Sequence, residues 1–96
     1  MKKVVFVVLI EEIENQEIYD TYIRQVVKII QQHNGEYIAR SNKILPLSGR
    51  MPERSIVIGF DSMEEARKCF FSEEYERIKH LRENSTKSRA FFIENE

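Results

Sequence analysis

The chain has 96 residues, of which 42% are hydrophobic and 32% charged, and its net charge is −1. This is the composition of a globular protein with a modest core, without the positive charge that draws proteins to nucleic acid or anionic membranes. We therefore expect residues 1–96 to form one domain, with neither nucleic acid nor a membrane as partner. The single cysteine, Cys69, excludes an internal disulfide and favours a cytoplasmic location.

The first predicted element is the uninterrupted apolar run from Val4 to Ile10. Lys2 and Lys3 before it resemble the start of a signal peptide, but the run has only seven residues, too few to cross a bilayer. No small-residue cleavage site follows it. A strand buried on both faces fits better, because the run lacks the alternation of a half-exposed strand. Glu11 to Asn15 would form its exit.

The second element has the periodicity of an amphipathic helix. Asn15 can cap its start, and apolar residues recur every three or four positions on one face. Asn34-Gly35 predicts its end, because both residues tolerate the left-handed conformation that stops helices. The apolar face consists of Ile18, Tyr19, Tyr22, Ile23, Val26, Val27 and Ile30.

Two strands separated by a loop come next. Glu36 to Asn42 has few apolar residues and fits an edge strand, whereas Arg54 to Phe60 alternates with its larger apolar residues on one face. Prolines and a glycine make Lys43 to Glu53 a loop. We expect this loop to pack on another part of the molecule because it contains Ile44, Leu45 and Leu47.

The last part of the chain contains two short helices and a strand. Ser62 and Ser72 each begin a helix, the first with a capping box completed by Glu65. Arg89 to Glu94 is the final strand, with an apolar centre. The order β-α-β-β-α-β predicts a ferredoxin-like α+β fold, in which a four-stranded antiparallel sheet carries its helices on one face.

A bare sheet face is the main consequence of this fold. The first and last strands both place large apolar side chains on both of their faces. Exposing such rows would create a patch larger than monomers usually tolerate. The sequence therefore predicts a homodimer in which the open face of the sheet is covered by a second copy of the chain.

Several short motifs occur together and in order along the chain. They are Pro52-Glu53-Arg54, Ile56-Val57-Ile58, Phe60-Asp61-Ser62, Glu65-Ala66-Arg67, Ser72-Glu73-Glu74-Tyr75, Leu81-Arg82, Ser88-Arg89-Ala90 and Asn34-Gly35-Glu36-Tyr37, with Tyr22 in the first helix. In these motifs the chain resembles the uncharacterised family called domain of unknown function 1330. The resemblance implies a dimeric α+β barrel, in a superfamily that includes cofactor-independent monooxygenases, isomerases and decarboxylase-like enzymes. Most of these use a pocket between sheet and helices. Family members usually carry a glutamate where this chain has Gly59, so an acid-base role at that position is in doubt.

Four residues are candidates for ligand binding. Arg40 and Arg54 flank the loop between the second and third strands, and two cations held together favour an anionic ligand such as a carboxylate. Alternatively, both are exposed and paired with acids. Tyr75 and Arg82 share one face of the last helix, where Tyr75 could donate a hydrogen bond into a pocket. The alternative is a core tyrosine with a satisfied hydroxyl.

The histidines and the cysteine give only weak indications of a catalytic or metal-binding role. His33 fits a helix end and His80 a polar surface, although either could act as a general base. Cys69 fits a small buried apolar residue better than a reactive thiol. No pattern predicts a metal or cofactor.

Two functions remain open from the sequence. The first is a non-catalytic binding or accessory protein for a small, acidic organic molecule, which the missing glutamate at position 59 slightly favours. The second is a cofactor-independent enzyme, monooxygenase-, isomerase- or lyase-like, acting on a small metabolite.

Overall fold

The computed structural model describes residues 2–96 and has a four-stranded sheet with three helices in that range. The order β-α-β-β-α-α-β confirms the ferredoxin-like fold, with the second helical region divided in two as expected. The elements are β1 (Val4–Ile13), α1 (Gln16–Gln32), β2 (Glu36–Ser41), β3 (Arg54–Phe60), α2 (Met63–Phe70), α3 (Glu73–Ser85) and β4 (Thr86–Glu94).

The sheet is antiparallel, with strand order β2-β3-β1-β4. At its centre Val7 of β1 pairs with Val57 of β3 on one side and with Phe91 of β4 on the other. The strand β2 is an edge strand, as predicted.

The core lies between the helices and one face of the sheet. On β1, alternate residues from Val4 to Ile10 are buried there, and Phe60 of β3 is fully buried. The ring of Phe6 stacks on Phe70 of α2, with 3.9 Å between ring centroids. Burying these aromatic and branched side chains is the main favourable contribution to folding.

The helix ends agree with the sequence signals. The Asn15 side chain accepts a hydrogen bond from the backbone N–H of Ile18 at 3.0 Å. Asn34 takes the left-handed conformation with φ 60°. The following Gly35 is needed for close packing instead, because a Cβ there would lie 2.6 Å from a methyl of Ile30 and 2.9 Å from the Phe60 ring.

The second face of the sheet carries an apolar row without a cover, as the sequence indicated. Val5, Val7 and Leu9 of β1 are only half-buried on it. The other edge strand, β4, contributes Phe91 and Ile93, which are 42% and 48% exposed. We call this surface the open face.

Strand ends differ from the sequence predictions. β1 runs to Ile13 rather than Ile10, because after a bulge Glu12 and Ile13 pair with Lys87 and Thr86. β4 accordingly begins at Thr86 rather than Arg89. Backbone pairing over a long sequence distance has thus overridden the low strand propensity of Glu12 and Lys87.

The loop between β2 and β3 also differs from expectation. Leu45 and Leu47 are 93% and 98% exposed and do not pack on the rest of residues 2–96. The expected packing of this loop is therefore wrong for these two leucines in a single copy of the chain, whereas Ile44 is half-buried. Pro46 between them lacks a backbone N–H, so this stretch cannot add a regular strand to the sheet.

Candidate functional site

Two adjoining spaces lie between α1 and the sheet. The outer cleft has a volume of about 280 Å³ and is lined by Ile13, Gln16, Tyr19, Asp20, Ile23, Asn42, Glu53 and Arg54. The inner cavity has a volume of about 20 Å³, room for one water molecule. Tyr19 and Ile23 line both spaces and separate them.

Strand pairing brings Arg54 to the start of α1. Arg54 pairs with Ile10 of β1, and the chain enters α1 only six residues later. Arg54 lies on the same face of β3 as the buried Ile56, since residues two apart on a strand point the same way. Its guanidinium group therefore reaches the cleft beneath the first turns of α1.

Two unpaired polar atoms lie buried beneath the outer cleft, in side chains that line it. The Tyr19 side chain is only 3% exposed, and its hydroxyl has no hydrogen-bond partner among residues 2–96. Arg54 Nε is likewise buried without a partner in that range. Burial raises the pKa of Tyr19, and Arg54 works against that rise both through its charge and because its guanidinium group lies within hydrogen-bonding reach of the hydroxyl. Such unpaired buried groups are rare in proteins because each costs free energy.

Two carboxylates share the outer cleft with Arg54. Asp20 Oδ1 accepts a hydrogen bond from Gln16 Nε2 at 2.8 Å, and Glu53 Oε2 accepts a long one from the backbone N–H of Ile13 at 3.4 Å. Neither acid forms a salt bridge with Arg54. The cleft thus holds charges of both signs that are not paired with one another.

The inner cavity is largely apolar. Its polar lining comes from three tyrosines and two arginines, and the remaining residues belong to the core. The polar residues are Tyr19, Tyr22, Tyr37, Arg40 and Arg82. At its present volume it holds no organic ligand.

A hydrogen-bonded chain closes one side of the inner cavity. The hydroxyls of Tyr22 and Tyr75 lie 2.9 Å apart, and Arg82 Nε donates to the Tyr75 hydroxyl at 3.3 Å. Arg82 also donates to Ser88 Oγ at 2.9 Å. Burial, and then the neighbouring Tyr75, raise the pKa of Tyr22 well above its usual value.

The sequence-predicted site residues do not share one space. Arg54 lines the outer cleft, whereas Arg40 and Arg82 line the inner cavity. Tyr75 and Arg82 also line a separate cleft of about 140 Å³ between α3 and β4. Arg40 is exposed, with its guanidinium carbon 4.6 Å from the centroid of the Tyr37 ring. Arg40 pairs with Ile56 across β2 and β3, so both predicted arginines share the helix-side face of the sheet.

Gly59 lies on the opposite side of the sheet from these spaces. It pairs with Val5, and a Cβ at this position would meet the Lys2 side chain at 2.6 Å. Lys2 forms salt bridges with Asp61 and Glu36 at 3.2 and 3.9 Å. A glutamate at position 59 would therefore project from the open face and away from the outer cleft.

The histidines and the cysteine lie elsewhere. His33 ends α1, where its Nδ1 is 3.0 Å from the Ile29 carbonyl oxygen, and His80 is exposed on α3. Cys69 is fully buried, and burial raises its pKa from 9.0 to about 12. Its thiol is thus unreactive at neutral pH. Within residues 2–96, no cluster of three or more His, Cys, Asp and Glu side chains could hold a metal ion.

The family model described as a domain of unknown function, DUF1330, matches residues 4–95. The chain belongs to the DUF1330 family. This confirms the resemblance drawn from the sequence motifs. None of the curated proteins matches the chain.

Solved structures resemble this DUF1330 protein in fold. A protein of unknown function from Rhodopseudomonas palustris is 12% identical, with a TM-score of 0.79 over 100% of this chain and 85% of its own. SnoaB, a cofactor-independent oxygenase from Streptomyces nogalater, is 7% identical, with a TM-score of 0.71 over 100% and 95%. A dimeric ferredoxin-like protein of unknown function from Thermobifida fusca is 10% identical, with a TM-score of 0.53 over 95% and 89%. At these identities the similarity shows the fold alone.

In the part of the chain from Lys2 onward, no helix is long and apolar enough to span a membrane.

Proposed function

We propose that this protein is a homodimeric, non-catalytic binding protein for a small acidic organic molecule, held in the outer cleft. The observation that carries the proposal is the pair of unpaired donors at Tyr19 and Arg54. Both atoms are buried beneath the cleft in the unliganded chain, so a ligand would reach them only when Tyr19 rotates, and an acceptor oxygen would then satisfy both. A carboxylate oxygen suits both donors, because its hydrogen bond to a charged guanidinium group is stronger than a hydrogen bond between neutral groups.

The size of the cleft sets the size of the ligand. Pockets for drug-sized molecules have volumes of roughly 300–1,000 Å³, so a cleft of about 280 Å³ takes a small metabolite. Rotation of Tyr19 and Ile23 would join the cleft to the inner cavity. The ligand would then reach Arg40 and Arg82, with Tyr75 positioning Arg82 through their hydrogen bond.

The dimer is part of the proposal. The open face has apolar residues at its centre, while ion pairs such as Glu11–Arg89 and Lys2–Asp61 lie at its two ends. An apolar centre with a charged rim is the composition of stable protein interfaces. The dimeric protein from Thermobifida fusca has the same fold, which supports a second copy as the cover. The free and buried Cys69 fits the cytoplasm, which we keep as the proposed compartment.

A cofactor-independent enzyme is the second candidate, and the chain of Tyr22, Tyr75 and Arg82 favours it. An arginine beside a tyrosine hydroxyl could polarise a substrate carbonyl, and SnoaB shows that this fold occurs in an oxygenase. However, the raised pKa of Tyr22 keeps its hydroxyl protonated at neutral pH. Both histidines also lie away from the two spaces, and the carboxylates of Asp20 and Glu53 line the outer cleft rather than the inner cavity beside this chain.

Binding of simple carboxylates to wild-type protein and to Arg54→Gln tests the proposal. Losing the charged hydrogen bond should weaken binding by roughly tenfold or more, because such bonds contribute about 1.5–3 kcal/mol. Arg24→Gln is the matched control, since Arg24 is an exposed arginine on α1 that does not line the cleft. Thermal shift and isothermal titration calorimetry would measure both effects. A carboxylate that binds Arg54→Gln as tightly as wild type would contradict the anchoring role.

A further inference from the structure

We infer that the ligand of the outer cleft is a zwitterion, a small molecule with a carboxylate and an ammonium group a few bonds apart, such as a free α-amino acid. This inference rests on the proposed function and names the ligand class of the same site. It draws on the two acids of the cleft, Asp20 and Glu53, which the binding of a plain carboxylate does not use.

The positive side of the cleft is formed by Tyr19 and Arg54. Each carries a buried polar atom without a partner in residues 2–96, and Tyr19 is 3% exposed. When Tyr19 rotates toward the cleft, one carboxylate oxygen would accept from both groups. An amine without a carboxylate would leave both donors unpaired, which is costly in a buried position.

The negative side is formed by Asp20 and Glu53. The Asp20 carboxylate is close enough to Tyr19 to raise the pKa of its hydroxyl, and Gln16 holds it in place through the bond to Oδ1. Glu53 keeps an oxygen free beyond its long bond to Ile13. Neither acid forms a salt bridge within residues 2–96.

The balance of charge selects the zwitterion over a simple acid. Two carboxylates and one guanidinium group line the cleft, so a bound carboxylate alone experiences repulsion from two sides. An ammonium group on the same molecule pairs with Asp20 or Glu53 and removes that repulsion. Like charges that are brought together without compensation oppose binding, and this is how a charged site rejects the wrong ligand.

Calorimetric titration of the full chain with the standard amino acids tests the inference. The tightest binder would then be compared with two analogues, the acid that lacks its amino group and the amine that lacks its carboxylate. We expect each analogue to bind at least about tenfold more weakly, which corresponds to about 1.4 kcal/mol.

Variants assign the two halves of the ligand to the two sides of the cleft. Asp20→Asn should weaken the amino acid several-fold and leave the acid analogue unchanged or tighter, whereas Arg54→Gln should weaken both. Glu17→Gln is the control, because Glu17 is an exposed acid in the first turn of α1 outside the cleft. Asp20 is itself exposed, so its substitution leaves the fold intact.

Three outcomes overturn the inference. Equal binding of the amino acid and the acid analogue would leave the proposed acid-binding function standing and reject the zwitterion. An Asp20→Asn effect of the same size on both compounds would reject the ammonium contact. Absence of binding by amino acids and acids alike would reject the inference and the proposed function together.

Discussion

Two buried tyrosine hydroxyls differ in whether they have hydrogen-bond partners. The Tyr75 hydroxyl contacts Tyr22 and Arg82, whereas the Tyr19 hydroxyl has no partner within residues 2–96. We predict that Tyr75→Phe lowers the free energy of unfolding by about 1–3 kcal/mol, because it leaves a buried Tyr22 hydroxyl and part of a guanidinium group unpaired. Tyr19→Phe should be neutral or stabilising by up to about 1 kcal/mol, because it removes an unsatisfied group.

Urea unfolding of both variants measures this difference. The two substitutions delete the same atom from the same residue type, so each serves as the control for the other. Equal losses of stability would show that the Tyr19 hydroxyl is paired and would also weaken the case for the outer cleft.

Alkaline pH should destabilise the protein through buried acidic groups. Burial raises the pKa of Cys69 from 9.0 to about 12 and raises the pKa of Tyr19, Tyr22 and Tyr37 above 10.0. In the unfolded chain these groups ionise first. Their stabilising contribution is therefore complete below about pH 9 and is lost as the pH rises toward the folded-state values.

The free energy of unfolding measured by urea at several pH values checks this prediction. It should fall above pH 9, by up to about 1.4 kcal/mol per pH unit for each group. In Cys69→Ala the decline should begin about one unit higher, where the tyrosines of the unfolded chain ionise. A decline that begins at the same pH in both proteins would exclude the thiol as its source.

Residue types alone singled out Arg54 as a candidate but not Tyr19, which lines the same cleft. Arg54 attracted attention as a cation beside a loop, whereas Tyr19 was one more member of an apolar helix face. The sequence does not reveal that the Tyr19 hydroxyl lacks a partner, since that depends on where β3 places its side chains. The pairing of Ile10 with Arg54, shortly before α1, is the signal that could have joined them.

Among the secondary-structure elements, α2 and α3 each begin at a serine N-cap, Ser62 and Ser72. Ser62 Oγ accepts from the backbone N–H of Glu65 at 3.1 Å. Ser72 Oγ accepts from that of Tyr75 at 3.1 Å and also donates to the Cys69 carbonyl at 2.7 Å. Ser72 therefore joins the end of α2 to the start of α3.

Replacing each serine by alanine tests this joining role. We predict a loss of about 1 kcal/mol for Ser62→Ala and about 2 kcal/mol for Ser72→Ala, because the second variant loses two hydrogen bonds. Urea denaturation with circular dichroism gives both values. A larger loss for Ser62→Ala would contradict the link between the helices.

Local signals predicted the elements better than their ends. Capping residues placed the helix starts correctly, and the alternating strand β3 has the predicted bounds, Arg54–Phe60. The extensions of β1 and β4 arise from backbone pairing between Glu12 and Lys87, which are far apart in the sequence. Neither residue type favours strands, so only tertiary pairing could reveal them. The exposure of Leu45 and Leu47 likewise depends on where the loop goes.

At the scale of the whole molecule, the open face accounts for the proposed dimer. Phe91 lies midway along the edge strand β4, paired with Val7 of β1, and is 42% exposed. Burying such a surface against a second copy stabilises it by about 25 cal/mol per Å² of apolar area, before the costs of association. In the proposed dimer, the same face would give a chain of 96 residues more buried area than its own core provides.

Phe91→Glu should separate the dimer while leaving the monomer fold intact, because the new charge would be buried only in the interface. Phe71→Glu is the matched control. Phe71 is 68% exposed at the end of α2, away from the open face. Light scattering should show that only the first variant halves the mass. Loss of the dimer in both variants would indicate a general effect of the new charge.

The account rests on a second copy of the chain covering the open face, and sedimentation equilibrium of the wild-type protein tests this most directly. At micromolar concentration we predict a mass twice the 11.5 kDa of one chain, reduced to that of one chain by Phe91→Glu. A wild-type protein that sediments as a stable monomer at tens of micromolar would contradict the account.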